Sequence, residues 1–180
     1  LSALPVEAEG QPVDWGLAYQ KIQHFRRVGQ YEEARKLLRS APIDPEIIIS
    51  PDDWWVERRA AAFEALREGK PDIAYDLAAN AGPLSGNPLK DQTFFAGWIA
   101  LRHLGKPETA VQHFEASRKA SDGPLSRTRA EYWWGRALEA LGRRDEAQKR
   151  YAAAATEVDT FHGQLGRQKL EVSAAIDIRP

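Results

Sequence analysis

The stretch TRAEYWWGRALEALGRRDEAQKRYAAAATEVDTFHGQLG, residues Thr128–Gly166, decides the fold. It reads as two antiparallel helices meeting at Gly142, followed by the start of a third. Small residues stand where the two helices must approach closely, at Gly135, Ala147 and Ala154. Large ones stand where a neighbouring helix pair has to be filled, at Trp134, Leu138, Leu141 and Tyr151.

The same pattern recurs upstream. G-x-x-[DE]-x-A occurs from Gly29 to Ala34, Gly69 to Ala74, Gly105 to Ala110 and Gly142 to Ala147, with successive glycines 40, 36 and 37 residues apart. Each element has a physical reason. The glycine can take positive φ at a helix C-terminus. The acid (Glu32, Asp72, Glu108, Asp145) falls in the first turn of the next helix, where the dipole favours it. The alanine lets the second helix pack closely on the first. Four residues beyond each alanine, Leu38, Ala78, Phe114 and Tyr151 share one register position. The pattern predicts an all-α fold without a sheet: a right-handed α-superhelix of tetratricopeptide-like helical hairpins, about nine helices in all.

In chain order, residues 1–13 read as an extended lead-in and 14–171 as the repeat domain. The repeats fall at about 14–42, 50–83, 88–121 and 124–156, with a terminal helix at 159–171 and a tail or linker at 172–180. Asp14 is a candidate N-cap, and the first hairpin stops before Pro42. The apolar connector with Ile47, Ile48 and Ile49 reads as a buried loop. Ser50-Pro51-Asp52-Asp53 reads as a capped helix start. Leu84 to Asp91 reads as a loop.

A length of 180 residues is enough for a sizeable core, and the net charge of −1 argues against bulk attraction to nucleic acid or an anionic membrane. Zero cysteines exclude disulfides and thiolate metal sites, and suit an oxidising compartment slightly better than the cytosol. No apolar run approaches the roughly 20 residues that span a bilayer, so no membrane insertion is expected. The opening at Leu1, without a signal-type segment or any methionine, reads as a piece of something longer.

Chemistry is not signposted. His24, His103, His113 and His162 lack metal-ligand spacing, and the glycines at 163 and 166 fit no phosphate loop. The carboxylates fall in helix first turns and solvated faces, not in apolar runs that would tune them for acid catalysis. No catalytic residue, metal or cofactor is therefore predicted. Trp54-Trp55 and Trp133-Trp134 are adjacent pairs. Helical neighbours point about 100° apart, so one of each pair packs inward and the other is either a wedge between repeats or a stacking platform.

In tetratricopeptide-like arrays the first helix of each repeat lines the concave face. A common register places Tyr19, Gln23, Arg26 and Arg27 there, then Arg59, Phe63 and Arg67, then Gln92, Phe95, Arg102 and His103. Arg129, Tyr132, Arg136 and Glu139 complete the set. Of these, Arg26, Arg59, Arg67, Arg102, His103, Arg129, Tyr132 and Arg136 are the candidate contacts for an anionic or carboxylate-bearing ligand. The alternative is that these arginines pair with carboxylates of neighbouring helices.

Four segments resemble one family in combination and order: WWVERR at 54–59, FFAGWIALRHL at 94–104, PLSRTRAEYWWGRALEALGR at 124–143 and TFHGQLGRQKL at 160–170. They are similar to the superhelical region of soluble lytic murein transglycosylases, over roughly Leu17 to Leu170. The resemblance implies a periplasmic protein whose superhelix precedes a lysozyme-like domain that cleaves peptidoglycan to 1,6-anhydro products. His162 stands where the family often has tyrosine. The family's catalytic Glu-Ser pair does not occur in this chain, so no catalytic residue carries over. The expected function is a non-catalytic domain supporting or positioning that catalytic domain, with peptidoglycan or the catalytic domain itself as partner. The alternative is a free-standing tetratricopeptide-like scaffold for peptide or protein partners.

Overall fold

The computed structural model describes residues 14–48 and 50–177. The expected lead-in at 1–13, Ile49 and residues 178–180 lie outside the described residues. Among those described there are nine helices and no strand. They are α1 (Trp15–Arg27), α2 (Tyr31–Ser40), α3 (Pro51–Arg67), α4 (Pro71–Ala79), α5 (Gly86–Arg102), α6 (Pro107–Ala120), α7 (Pro124–Ala140), α8 (Arg144–Ala155) and α9 (Phe161–Asp177).

Each hairpin turns at its repeat glycine. Gly29, Gly69, Gly105 and Gly142 all have positive φ, between 60° and 76°. The following N–H reaches back into the helix: Gln30 N to Phe25 O at 2.8 Å, Lys70 N to Ala65 O at 2.8 Å and Arg143 N to Leu138 O at 3.0 Å. These bonds satisfy carbonyls that a helix end would otherwise orphan, and only a residue at ease with positive φ can stand there. In the third hairpin the turn is one residue longer, and Lys106 N bonds Ala100 O instead at 2.8 Å.

Within a hairpin, size complementarity sets the approach of the two helices. A Cβ placed on Gly135 of α7 would lie 2.6 Å from Tyr151 Cε1 of α8, and one on Gly97 of α5 would lie 2.9 Å from Phe114 Cε1 of α6. Phe114 and Tyr151 hold the shared register position, so the last two hairpins are built as a ring against a glycine. The first two fill the corresponding positions with Ile22 and Leu38, then Ala62 and Ala78, all fully buried. The terminal α9 uses the same device, since Gly166 lies against the Tyr151 carbonyl and Ala154.

Consecutive helices pack along the whole chain, and each odd helix also touches the next odd one, from α1 through α9. Among the even helices only α2 and α4 approach within 8 Å between Cα atoms. The first helices of the repeats therefore form one continuous layer. No described helix is long and apolar enough to cross a membrane.

Several local expectations are corrected. Leu84 to Asp91 is not all loop, because α5 begins at Gly86. Pro88 is compatible with this, since a first-turn residue has no helical acceptor for an N–H. Ser50 does not cap a backbone N–H. It sits at φ 59° and donates its hydroxyl to Asp53 Oδ2 at 2.6 Å, a charge-assisted bond that outcompetes the cap. Asp14 does cap, accepting from Leu17 N at 3.1 Å. The isoleucine connector is buried through Ile48, whereas Ile43 and Ile47 are about half exposed. The terminal helix continues past 171 to Asp177, as expected of a segment with two alanines and no proline before Pro180.

The connector is tied down from below by Arg58 of α3. This guanidinium is 2% exposed, gives Ala41 O one bond at 3.4 Å and leaves Nε without a partner. Burial pushes its pKa down to about 10. A buried charge with so few partners costs more than an apolar isostere. Arg58→Met is expected to leave thermal stability unchanged or raise it, and a fall of more than about 1 kcal/mol would show that Arg58 is better satisfied than its bonds indicate. Gly135→Ala is expected to cost about 1–3 kcal/mol through overpacking. In a double-mutant cycle with Tyr151→Leu the cost should shrink, and strictly additive melting shifts would refute the ring-on-glycine contact.

Candidate functional site

The odd helices carry the expected contact residues except His103, which is the C-cap of α5, and the arginines among them fall into two electrostatic classes. The first class is neutralised. Arg26 of α1 grips Glu57 of α3 through two bonds, Nε to Oε2 at 2.8 Å and a terminal nitrogen to Oε1 at 3.3 Å. Gln23 donates to the same carboxylate at 3.4 Å, and Glu57 is buried. Arg59 of α3 meets Asp91 of α5 at 3.3 Å, and Trp55 Nε1 donates to Asp91 at 3.1 Å. Arg67 pairs with Glu64 of its own helix at 3.2 Å and is largely exposed. Cross-helix pairing thus accounts for Arg26 and Arg59, whose partners lie one odd helix further on.

Arg102 and Arg129 form the second class. Neither makes a hydrogen bond or ion pair among the described residues. Arg102 is exposed at the end of α5. Arg129 of α7 is half-buried, with its guanidinium 4.1 Å from the centroid of Phe94 on α5 and a buried, unpartnered Nε. Burial lowers its pKa, with Asp91 opposing that shift from across the layer. Three and seven residues along the same helix stand Tyr132 and Arg136. Arg136 donates to Tyr132 Oη at 3.1 Å and contacts Glu139 at 3.5 Å. Glu139 is shared further, accepting from Tyr151 Oη at 2.9 Å and from Lys169 of α9 at 2.8 Å. Burial raises the Tyr151 pKa, and the Glu139 bond adds to it, so the phenol stays protonated as a donor.

Aromatic side chains run along the same layer. Phe63 of α3, 44% exposed, stacks on Phe95 at 4.5 Å between centroids, and Phe95 stacks on Trp98 at 6.3 Å. His103 stands edge-on to Trp98 at 4.9 Å. Both Trp54 and Trp55 are buried, so neither is a free platform. Trp133 and Trp134 are partly buried between hairpins, with Arg150 over the Trp134 ring at 3.9 Å.

Sequence reasoning missed three contributors. Asp91 was hidden in a segment read as loop, although the helix start at Gly86 puts it on α5 beside Gln92. Phe94 supports Arg129 from that helix. His162 of α9 lies 5.7 Å from the Tyr132 ring, and burial followed by Arg129 lowers its pKa. The FHG sequence carries no signal for this, because the contact depends on how α9 folds back onto α7.

His113 shares the lowered pKa, through burial, and its ring bonds Tyr75 Oη at 2.9 Å. Both histidines are held neutral in the folded chain, so the unfolded chain takes up protons first as pH falls. Stability is expected to be flat above about pH 7.5 and to fall as pH drops below the ordinary histidine value of about 6.5. Melting between pH 7.5 and 5 checks this. His113→Gln with His162→Gln should flatten the slope, and an unchanged slope would assign it to other groups.

No protein-family model matches the chain, and no curated protein matches it.

Proposed function

We propose that this chain is a non-catalytic α-superhelical module whose odd-helix layer receives an anionic partner. The observation that carries this reading is the split among its arginines. Arg26 and Arg59 are consumed in holding neighbouring helices together, whereas Arg102 and Arg129 remain without a carboxylate. A partly buried cation left unpaired, as Arg129 is, is costly unless something binds it, and the exposed Arg102 adds a solvated positive charge to the same layer. Contact along every odd helix, with α4, α6 and α8 held apart, supports an array that bends toward the odd helices and makes their face concave.

The four segments that resemble soluble lytic murein transglycosylases supply the context: a periplasmic superhelix that supports or positions a lysozyme-like catalytic domain on peptidoglycan. Peptidoglycan carries the carboxylates such a face would meet. A free-standing scaffold for peptides is the second reading, favoured by the partly exposed Phe63–Phe95–Trp98 stack, which suits apolar side chains as well as sugars.

Co-sedimentation of the chain with purified sacculi tests the first reading. Binding is expected at low salt, and it should weaken several-fold in Arg102→Ala/Arg129→Ala and in high salt as screening grows. Absence of sedimentation at every ionic strength would reject the murein reading. Retained binding to carboxylate peptides in that case would favour the scaffold.

A further inference from the structure

Most cations of this chain are matched by a carboxylate within reach. Arg35 lies between Glu32 and Glu68, Lys90 meets Asp122, and Arg118 and Arg150 share Glu131. Arg129 departs from that pattern in having no acid partner, and it does so while partly buried. Its guanidinium is held in place by the Phe94 ring at 4.1 Å, its Nε is buried and unpartnered, and no acid pairs with it. Exposed arginines without partners are ordinary because water solvates them. A half-buried arginine fixed by a ring is different, since its side-chain entropy is already spent and its hydration is reduced.

We propose that Arg129 is a carboxylate receptor at the junction of α5, α7 and α9, and that its ligand is the carboxylate of an extended peptide. The inference rests on the reading of the odd-helix layer as a binding face. A guanidinium offers its donors as a planar fork that matches a carboxylate, and the ring beneath it pre-organises the fork. The number of charges selects a monoanion. Arg129 is the one unpaired cation at this junction among the described residues, because Arg136 and Lys169 are occupied by Glu139. Asp91 acts on Arg129 from the α5 side, which would penalise a dianion such as phosphate more than a single carboxylate. Towards α9, Tyr132 and His162 pack on each other with ring centroids 5.7 Å apart, and the charge of Arg129 is felt at His162. Phe161, 68% exposed, stands at the start of the same helix with its ring 5.2 Å from His162. These rings offer apolar contact to the residue that bears the carboxylate.

The test follows the Arg129 Nε–H resonance by NMR in the full chain, with three probes. They are N-acetyl-trialanine with a free C-terminus, the same peptide as its amide, and an amidated peptide with a central aspartate. The free acid is expected to shift the Nε signal saturably, and the plain amide to leave it in place. A shift by the aspartate peptide also supports the receptor and assigns the ligand to a side-chain carboxylate. Arg129→Lys keeps the charge but loses the fork; followed through the backbone amide shifts of α7 in both proteins, it should weaken the free acid by about tenfold, as loss of a charge-assisted bond would. Equal shifts from acid and amide, no shift from any probe, or stronger binding of inorganic phosphate than of the free acid would overturn the proposal. Failure of sacculus binding alongside a normal peptide response would fall on the murein reading and leave this site intact.

Discussion

The fold depends on the distance at which two helices of a hairpin can lie. Gly135 beneath the Tyr151 ring and Gly97 beneath the Phe114 ring let helix axes close on a large side chain with no intervening Cβ. Where the ring is missing, as at Ala78, the opposing position is Ala62 and not glycine, so the volume at the contact is spread differently but remains filled. The repeat glycine at each turn serves the same end from another direction. By terminating the first helix in a fixed left-handed residue, it delivers the second helix at a reproducible angle, and the alanine five residues later meets its partner in register.

Once each hairpin is fixed, the remaining question is how hairpins stack, and here polar side chains act. Glu57 and Glu131 are both buried carboxylates; Glu57 is reached by Arg26 of α1, and Glu131 by Arg118 of α6 and Arg150 of α8. Burying a carboxylate is tolerable only with such partners, so these contacts specify which helix faces which. Asp91 has the same role with Trp55 and Arg59. The odd-helix layer is therefore built from residues that look like ligand contacts in a sequence, and most of their charge is already used.

Hairpins, turns and the approximate helix count were legible because they depend on local chemistry: glycine at positive φ, proline in a first turn, acids at the dipole's positive end. Helix α5 begins earlier than read, because Pro88 falls in its first turn, where a proline is harmless. Ser50 was misread because its side chain can either accept from a backbone N–H as a cap or turn its hydroxyl toward Asp53, and sequence does not say which orientation the left-handed backbone there imposes. The arginines expected on first helices do lie on odd helices, and pairing with neighbouring helices was foreseen as the alternative, but which acid each one meets was not legible. Arg26 finds Glu57 across 31 positions and Arg59 finds Asp91 across 32. Pairings at that separation depend on the stagger between repeats.

That stagger also explains why Arg129 differs from Arg26 and Arg59. Going up the odd layer, each of those two arginines meets an acid on the following odd helix, Glu57 on α3 and Asp91 on α5. By the same rule Arg129 on α7 would look to α9, and α9 presents His162 there, whose pKa burial and Arg129 itself hold down. Neutral imidazole cannot compensate a guanidinium, and its ring packs on Tyr132 instead. Arg129 is thus left out of the pairing between odd helices, although Glu139 and Lys169 join α7 to α9 elsewhere. Phe94 stabilises the left-over cation from behind by its ring face, without neutralising it, so the fork keeps its capacity to bind. An acid at position 162 would pair with Arg129 and remove the site. Histidine there leaves the odd-helix layer with a charge to offer.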